Sequence, residues 1–110
     1  RALPAMIGYS ADAFSATIAP PDGLAEFTVQ WPRFLVSYTR LNVRVQIQRD
    51  LLLNEMRIRL PEGLRSFGEQ PTVVANGVVF RNLVVIGDQV VLDSSVLGVG
   101  GGGFTSIEVR

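Results

Sequence analysis

Histidine, cysteine and lysine do not occur among the 110 residues of this chain. Each absence closes off a chemistry. Without cysteine there is no disulfide and no thiolate nucleophile, and without cysteine or histidine most zinc, copper and haem sites lose their ligands. The commonest general base goes with histidine. Without lysine there is no Schiff base, no phosphate-loop lysine and no lysine-based isopeptide crosslink. Ser10, Ser94 and Ser95 have neither a histidine partner nor a lysine for a serine–lysine dyad. Acid–base work would fall to carboxylates or tyrosine, so the expectation is a protein that is not an enzyme and that carries no cofactor.

Charge is scarce and balanced, with ten arginines set against ten acids, and 18% charged residues against 47% hydrophobic ones. No net field draws nucleic acid or an anionic membrane, so neither is expected as a partner. Few charges on an apolar chain also give weak protection against self-association, which suits a domain partly covered by neighbours. No apolar run reaches the length of a membrane span, and no basic-then-apolar leader is visible. The chain starts at Arg1 and ends at Arg110 inside what reads as a strand, the expectation for a processed product or a piece of something longer. None of Asn42, Asn54, Asn76 and Asn82 has Ser or Thr two residues on, so N-glycosylation is not expected.

What is present is period-2 alternation. Val43, Val45 and Ile47 alternate with Asn42, Arg44, Gln46 and Gln48, while Met56, Ile58 and Leu60 alternate with Glu55, Arg57 and Arg59. Two half-buried strands are predicted, joined by residues 49–54 as a hairpin or as a short crossover between packed sheets. Their six apolar residues are predicted core. The good helix formers of 51–60 make the only rival helical stretch, but strict alternation from Glu55 and the β-branched Ile58 favour a strand.

Around this pair the chain punctuates itself with turns. Residues 2–12 read as a linker or an edge strand, and 14–19 as a strand before Pro20-Pro21-Asp22-Gly23. Residues 24–31 form a second strand with Phe27, Val29 and Trp31 on one face, and 34–38 a connection or a further strand. Asn76-Gly77 sits between 72–75 and 78–80 as a strong hairpin signal, and Gly87-Asp88 between 83–86 and 89–92 as a second, which together suggest a β-meander. The end carries Val96-Leu97, a flexible Gly-rich loop at 98–103 and a strand over 104–109. Seven to nine short strands predict one all-β domain over 1–110, a single antiparallel β-sandwich.

The strand Val43–Gln48, the strand Met56–Leu60 and the following Leu60-Pro61-Glu62-Gly63 resemble the immunoglobulin-like repeats of large cell-surface and extracellular structural proteins. The resemblance spans about half of the chain. It implies an immunoglobulin-like sandwich, an extracellular or cell-surface location, and a non-enzymatic structural or assembly role. The partners it implies are other subunits or neighbouring domains of the same chain.

Several constellations have a plain structural role beside a chemical one. Gly98, Gly100 and Gly103 satisfy G-x-G-x-x-G, but a β-like FTSIEV follows where a phosphate loop needs a helix. Asp12, Asp22, Asp88 and Asp93 lie in or beside turns, where aspartate bonds its own following amides; no calcium-loop pattern contains them, and no metal is expected. Trp31, Phe34 and Tyr38 could stack on a sugar in a carbohydrate-binding module, against core packing for Trp31. Arg44, Gln46, Gln48, Arg57 and Arg59 form the candidate partner-contact face, because arginine suits bidentate and interface contacts. A small accessory or coat subunit of a multi-subunit assembly is the remaining alternative.

Overall fold

The computed structural model describes residues 7–10, 15–20, 26–31, 34–48, 54–65, 71–98 and 104–110. Alternation becomes two sheets. The strands are β1 (Ile7–Ser10), β2 (Ser15–Ile18), β3 (Phe27–Trp31), β4 (Phe34–Tyr38), β5 (Val43–Gln48), β6 (Glu55–Arg59), β7 (Val73–Ala75), β8 (Val78–Phe80), β9 (Val84–Ile86), β10 (Gln89–Asp93) and β11 (Phe104–Val109). The first sheet has the order β1-β2-β6-β10-β9 and the second β3-β4-β5-β11-β7-β8. All-β architecture is therefore what the sequence predicts. Eleven strands among the described residues exceed the predicted seven to nine, because residues 7–10 and 34–38, each allowed as a linker or connection, both pair as strands.

Burial follows the period. Strand β5 alternates buried and exposed residues along its length, and β6 alternates buried with half-buried ones. Val43, Val45, Ile47, Met56, Ile58 and Leu60 are all buried, as predicted, in one cluster that draws on both sheets. Each such side chain contributes roughly 1.5–3 kcal/mol on burial, and together they decide which face of each strand turns inward. Ile18 and Ala16 of β2, Val36 and Tyr38 of β4, Val73 and Ala75 of β7, Val90 and Leu92 of β10, Ile107 and Val109 of β11, and Val96 and Leu97 complete the cluster. Phe27 stacks on Tyr38, with ring centroids 5.2 Å apart and planes 13° from parallel.

The topology departs from the predicted antiparallel sandwich at one ladder. Strands β2 and β6 run parallel, with Ala16 beside Met56 and Ile18 beside Ile58, while the other ladders are antiparallel. The predicted meander is corrected as well. Hairpin β7–β8 lies in the second sheet and hairpin β9–β10 in the first, so residues 81–83 pass between sheets instead of joining neighbours. The β5–β6 connection is likewise a crossover, one of the two geometries its sequence allowed. Strand β6 ends at Arg59, two residues before the predicted Pro61 stop, but a turn of helix α1 (Glu62–Arg65) follows, and another, α2 (Ser94–Leu97), covers Val96-Leu97. Helices of four residues are too short to print a 3.6-residue period on a sequence.

Both turn readings hold. Asn76 and Gly77 have φ of 47° and 86°, the double positive φ of a type I′ hairpin, and Gly87 has φ 64° at the first turn position of the β9–β10 hairpin. Residues 7–10 form an edge strand, one of the two options for 2–12. The flexible loop predicted for 98–103 falls, apart from Gly98, outside the described residues.

Gly63 and Gly77 separate two reasons for glycine. A Cβ on Gly63 would stand 2.6 Å from the Arg40 carbonyl oxygen, whereas one on Gly77 would meet nothing within 4 Å but would hold a φ unsuited to L-residues. Gly63→Ala is therefore expected to cost about 1–3 kcal/mol through overpacking, and Gly77→Ala about 1 kcal/mol through backbone strain alone. Urea unfolding measures both. Gly77→Asn, which tolerates positive φ, should recover part of the second loss and has no counterpart at Gly63.

Candidate functional site

The predicted arginine face is divided by the fold. Arg44, Gln46 and Gln48 alternate outward from β5 in the second sheet, and Arg57 and Arg59 alternate outward from β6 in the first. Since both strands turn their apolar residues into one core, their polar residues face away from each other on opposite sides of the layers. The crossover causes the division. In a hairpin the five residues would have shared one surface.

Arg44 sits across the ladder from Glu108, with Nε 3.6 Å from a carboxylate oxygen, and Arg110 lies 4.0 Å from the other oxygen of the same group. Gln46 stands between Leu35 and Ser106, and Gln48 opposite Phe104. These are exposed cross-strand pairs of a solvated sheet face. Arg57 Nε reaches Glu55 at 3.1 Å, two residues away on the same strand face.

Arg59 differs. Its Nε donates to Asp88 at 2.8 Å and its Nη1 to the Pro20 carbonyl at 3.0 Å, while its own carbonyl accepts from the Tyr38 hydroxyl at 2.6 Å. The side chain thus ties β6 to the β9–β10 turn and to the end of β2. A planar guanidinium with spaced donors suits that task better than an ammonium. Arg59 is thereby engaged within the fold, and less of it is available to a partner than of Arg44.

The remaining candidates resolve into structural duties. Asp93 caps α2 by accepting from the Ser95 N–H at 3.0 Å and from the Ser95 hydroxyl. The Ser95 hydroxyl, and then its backbone N–H, hold the Asp93 carboxyl below the ordinary aspartate range. Asp88 occupies the hairpin turn and pairs with Arg59. Among the described residues no three acids converge on a point where a metal could sit. Asp12 and Asp22 lie outside the described residues, as do Gly100 and Gly103. Tyr38 is buried, stacked on Phe27 and bonded through its hydroxyl, so it offers no ring face to a sugar. The side chains of Trp31 and Phe34 are outside the described set.

One concavity gathers Glu26, Thr39, Arg40, Leu41, Glu62 and Gly63. Its hydroxyl is committed locally: Thr39 Oγ1 accepts from the Asn42 N–H at 3.0 Å and donates to Asn42. The Gly63 N–H donates to the Arg40 carbonyl at 2.9 Å, which docks the β4–β5 turn onto α1. The hollow is thus a seam between two turns, with no base–nucleophile pair in it.

The sequence reading missed the apolar edges. Val78 and Val79 of β8 are 46% and 45% exposed, and Val84 and Ile86 of β9 are 60% and 54% exposed. These strands end their respective sheets, and residues 81–83 place both edges on one side of the molecule. The runs VVF and VVI are apolar at every position, but so is VVA of the interior strand β7, so the runs alone do not mark an edge.

No protein-family model matches the chain, and neither does any curated protein or solved structure. No helix among the described residues is long and apolar enough to cross a membrane.

Two variants separate structural arginine from surface arginine. Arg59→Ala is expected to lower stability by about 1 kcal/mol, because Asp88 and the Pro20 carbonyl both lose their donor, and Arg44→Ala by less than about 0.5 kcal/mol; equal losses in urea unfolding would refute the distinction. For Asp93 the folded pKa is depressed, so its contribution is complete above the ordinary aspartate range and lost as pH falls through the lowered folded value. Asp93→Ala should accordingly cost about 0.5–1 kcal/mol at neutral pH, with wild type and variant converging in acid. A gap unchanged across that titration would show that the carboxylate charge is irrelevant to the cap.

Proposed function

We propose that this chain is a non-enzymatic structural or assembly domain that works through protein–protein contacts within a larger extracellular or surface complex. The observation that carries this reading is the pair of uncharged apolar sheet edges on one side of the molecule, formed by Val78 and Val79 and by Val84 and Ile86. Free β-edges invite further strands, and soluble proteins ordinarily blunt them with charge, proline or a covering loop. Neither β8 nor β9 contains a charge or a proline.

The immunoglobulin-like character of the sandwich belongs to the same proposal. It rests on Val43–Gln48, Met56–Leu60 and the Pro61-Glu62-Gly63 stop, and the extracellular setting rests on that resemblance. Histidine, cysteine and lysine are missing from the composition, and Asp93, Asp88, Glu108 and Glu55 are engaged in a cap, a turn and ion pairs. A glycan-binding role loses Tyr38 from its stacking platform.

The mass of the native material tests the proposal. The expected outcome is that the chain is isolated covalently within a longer polypeptide or in stable complex with other subunits. A free, monodisperse monomer with both termini native would overturn it.

A further inference from the structure

We infer that the β8–β9 side is a two-fold interface, where a second copy of this chain continues both sheets. The inference rests on the assembly reading above and names the partner.

The backbone supplies the first argument. In the β9–β10 ladder Ile86 pairs with Gln89 across the two-residue turn, Val85 with Val90 and Val84 with Val91. Residues flanking such a turn are the hydrogen-bonded pair, so alternate residues of β9 bond inward, and Val85 directs its N–H and C=O to the open side. By the same alternation Ala75–Val78 and Val73–Phe80 are the bonded pairs of β7–β8, and Val79 directs its N–H and C=O outward. Each three-residue edge strand thus presents one donor and one acceptor, both at its middle residue. An antiparallel copy related by a two-fold axis through that residue meets acceptor with donor and donor with acceptor.

Side chains fit the same axis. With Val85 opposite Val85 of the copy, Val84 of each chain lies opposite Ile86 of the other on the outer face, and the two most exposed apolar residues of the edge cover each other. With Val79 opposite its own copy, the exposed Val79 side chains cover each other and Val78 of each chain lies opposite Phe80 of the other. Residues 81–83 carry the chain directly from one edge to the other, so the two edges are neighbours and one copy can face both.

Charge favours a copy over a foreign strand. Arg81 precedes β9 and Asp88 follows it, with no charge between them. Antiparallel self-pairing brings the Arg81 end of one chain beside the Asp88 end of the other, where Asp88, bonded to Arg59 of its own chain, offers Arg81 a carboxylate to share. The chain as a whole is neutral, so two copies approach without net repulsion. The β3 edge of the second sheet is different in kind: Glu26, Thr28 and Gln30 are exposed along it.

A charge-swap experiment reads the axis directly. Sedimentation of the 110-residue chain should show a concentration-dependent dimer. Val79→Lys and Val79→Glu should each weaken it by on the order of tenfold or more, since the axis sets like charges face to face. Mixing the two variants should restore a heterodimer. Gln30→Lys on the opposite edge should leave association unchanged, and circular dichroism should report all three variants folded. In the unmodified chain, amide exchange at Val79 and Val85 should slow as concentration rises, a readout independent of any substitution. A chain that remains monomeric with fast exchange at both amides overturns the self-pairing, while the native-mass measurement still decides the assembly reading. A dimer indifferent to Val79→Lys, or one not rescued by the mixture, overturns this interface.

Discussion

Everything in the molecule depends on the mutual burial of two alternating apolar faces, Val43, Val45 and Ile47 on one sheet and Met56 and Ile58 on the other. The chain crosses from sheet to sheet between them, so one short span commits both layers to a common core. Once those faces are inward, the polar residues of each strand have no choice of side. The arginines then point apart, Arg59 falls within reach of the Asp88 turn, and the outer faces become cross-strand pairs such as Arg44 with Glu108.

That constraint also explains how the loops are used. The Thr39–Asn42 turn is closed by the Thr39 hydroxyl and held against Gly63, so the entry to β5 and the exit from β6 are fastened at the same place. Tyr38 and Arg59 make a second fastening between the sheets, since the Tyr38 hydroxyl of β4 donates to the Arg59 carbonyl of β6. A buried tyrosine needs such a partner, and the edge of the core provides one without a buried unpaired atom among the described residues.

Much of this was legible in the residues, and the limits have a physical source. Period-2 alternation reports which face of a strand is buried, which is why the six core residues of β5 and β6 and the Asn76-Gly77 turn could be read directly. It does not report which sheet a strand joins. The hairpins β7–β8 and β9–β10 look like one meander because nothing local distinguishes a three-residue link within a sheet from one between sheets. The residues of the arginine face part for the same cause: a crossover is one of the readings residues 49–54 allow, and under it Arg44 and Arg57 diverge. The apolar runs VVF and VVI were visible, but edge status is a property of the assembled sheet.

The parallel ladder between β2 and β6 has a consequence for how the chain reaches this state. The central strand of the first sheet has as neighbours β2, 40 positions earlier at Ser15–Glu55, and β10, whose Gln89 pairs with Arg59 thirty positions before it. Neither contact is local, so loop-closure entropy is met twice before β6 gains its flanking backbone bonds. Strands β3, β4 and β5, by contrast, follow one another in space as in sequence. Topology of this kind lets β3, β4 and β5 assemble early, whereas the first sheet and the β5–β11 ladder, which pairs Val43 with Val109, close late. Until the first sheet closes, β6 is itself an open edge, and its apolar Met56 and Ile58 are among the residues that a nascent chain has most need to keep covered.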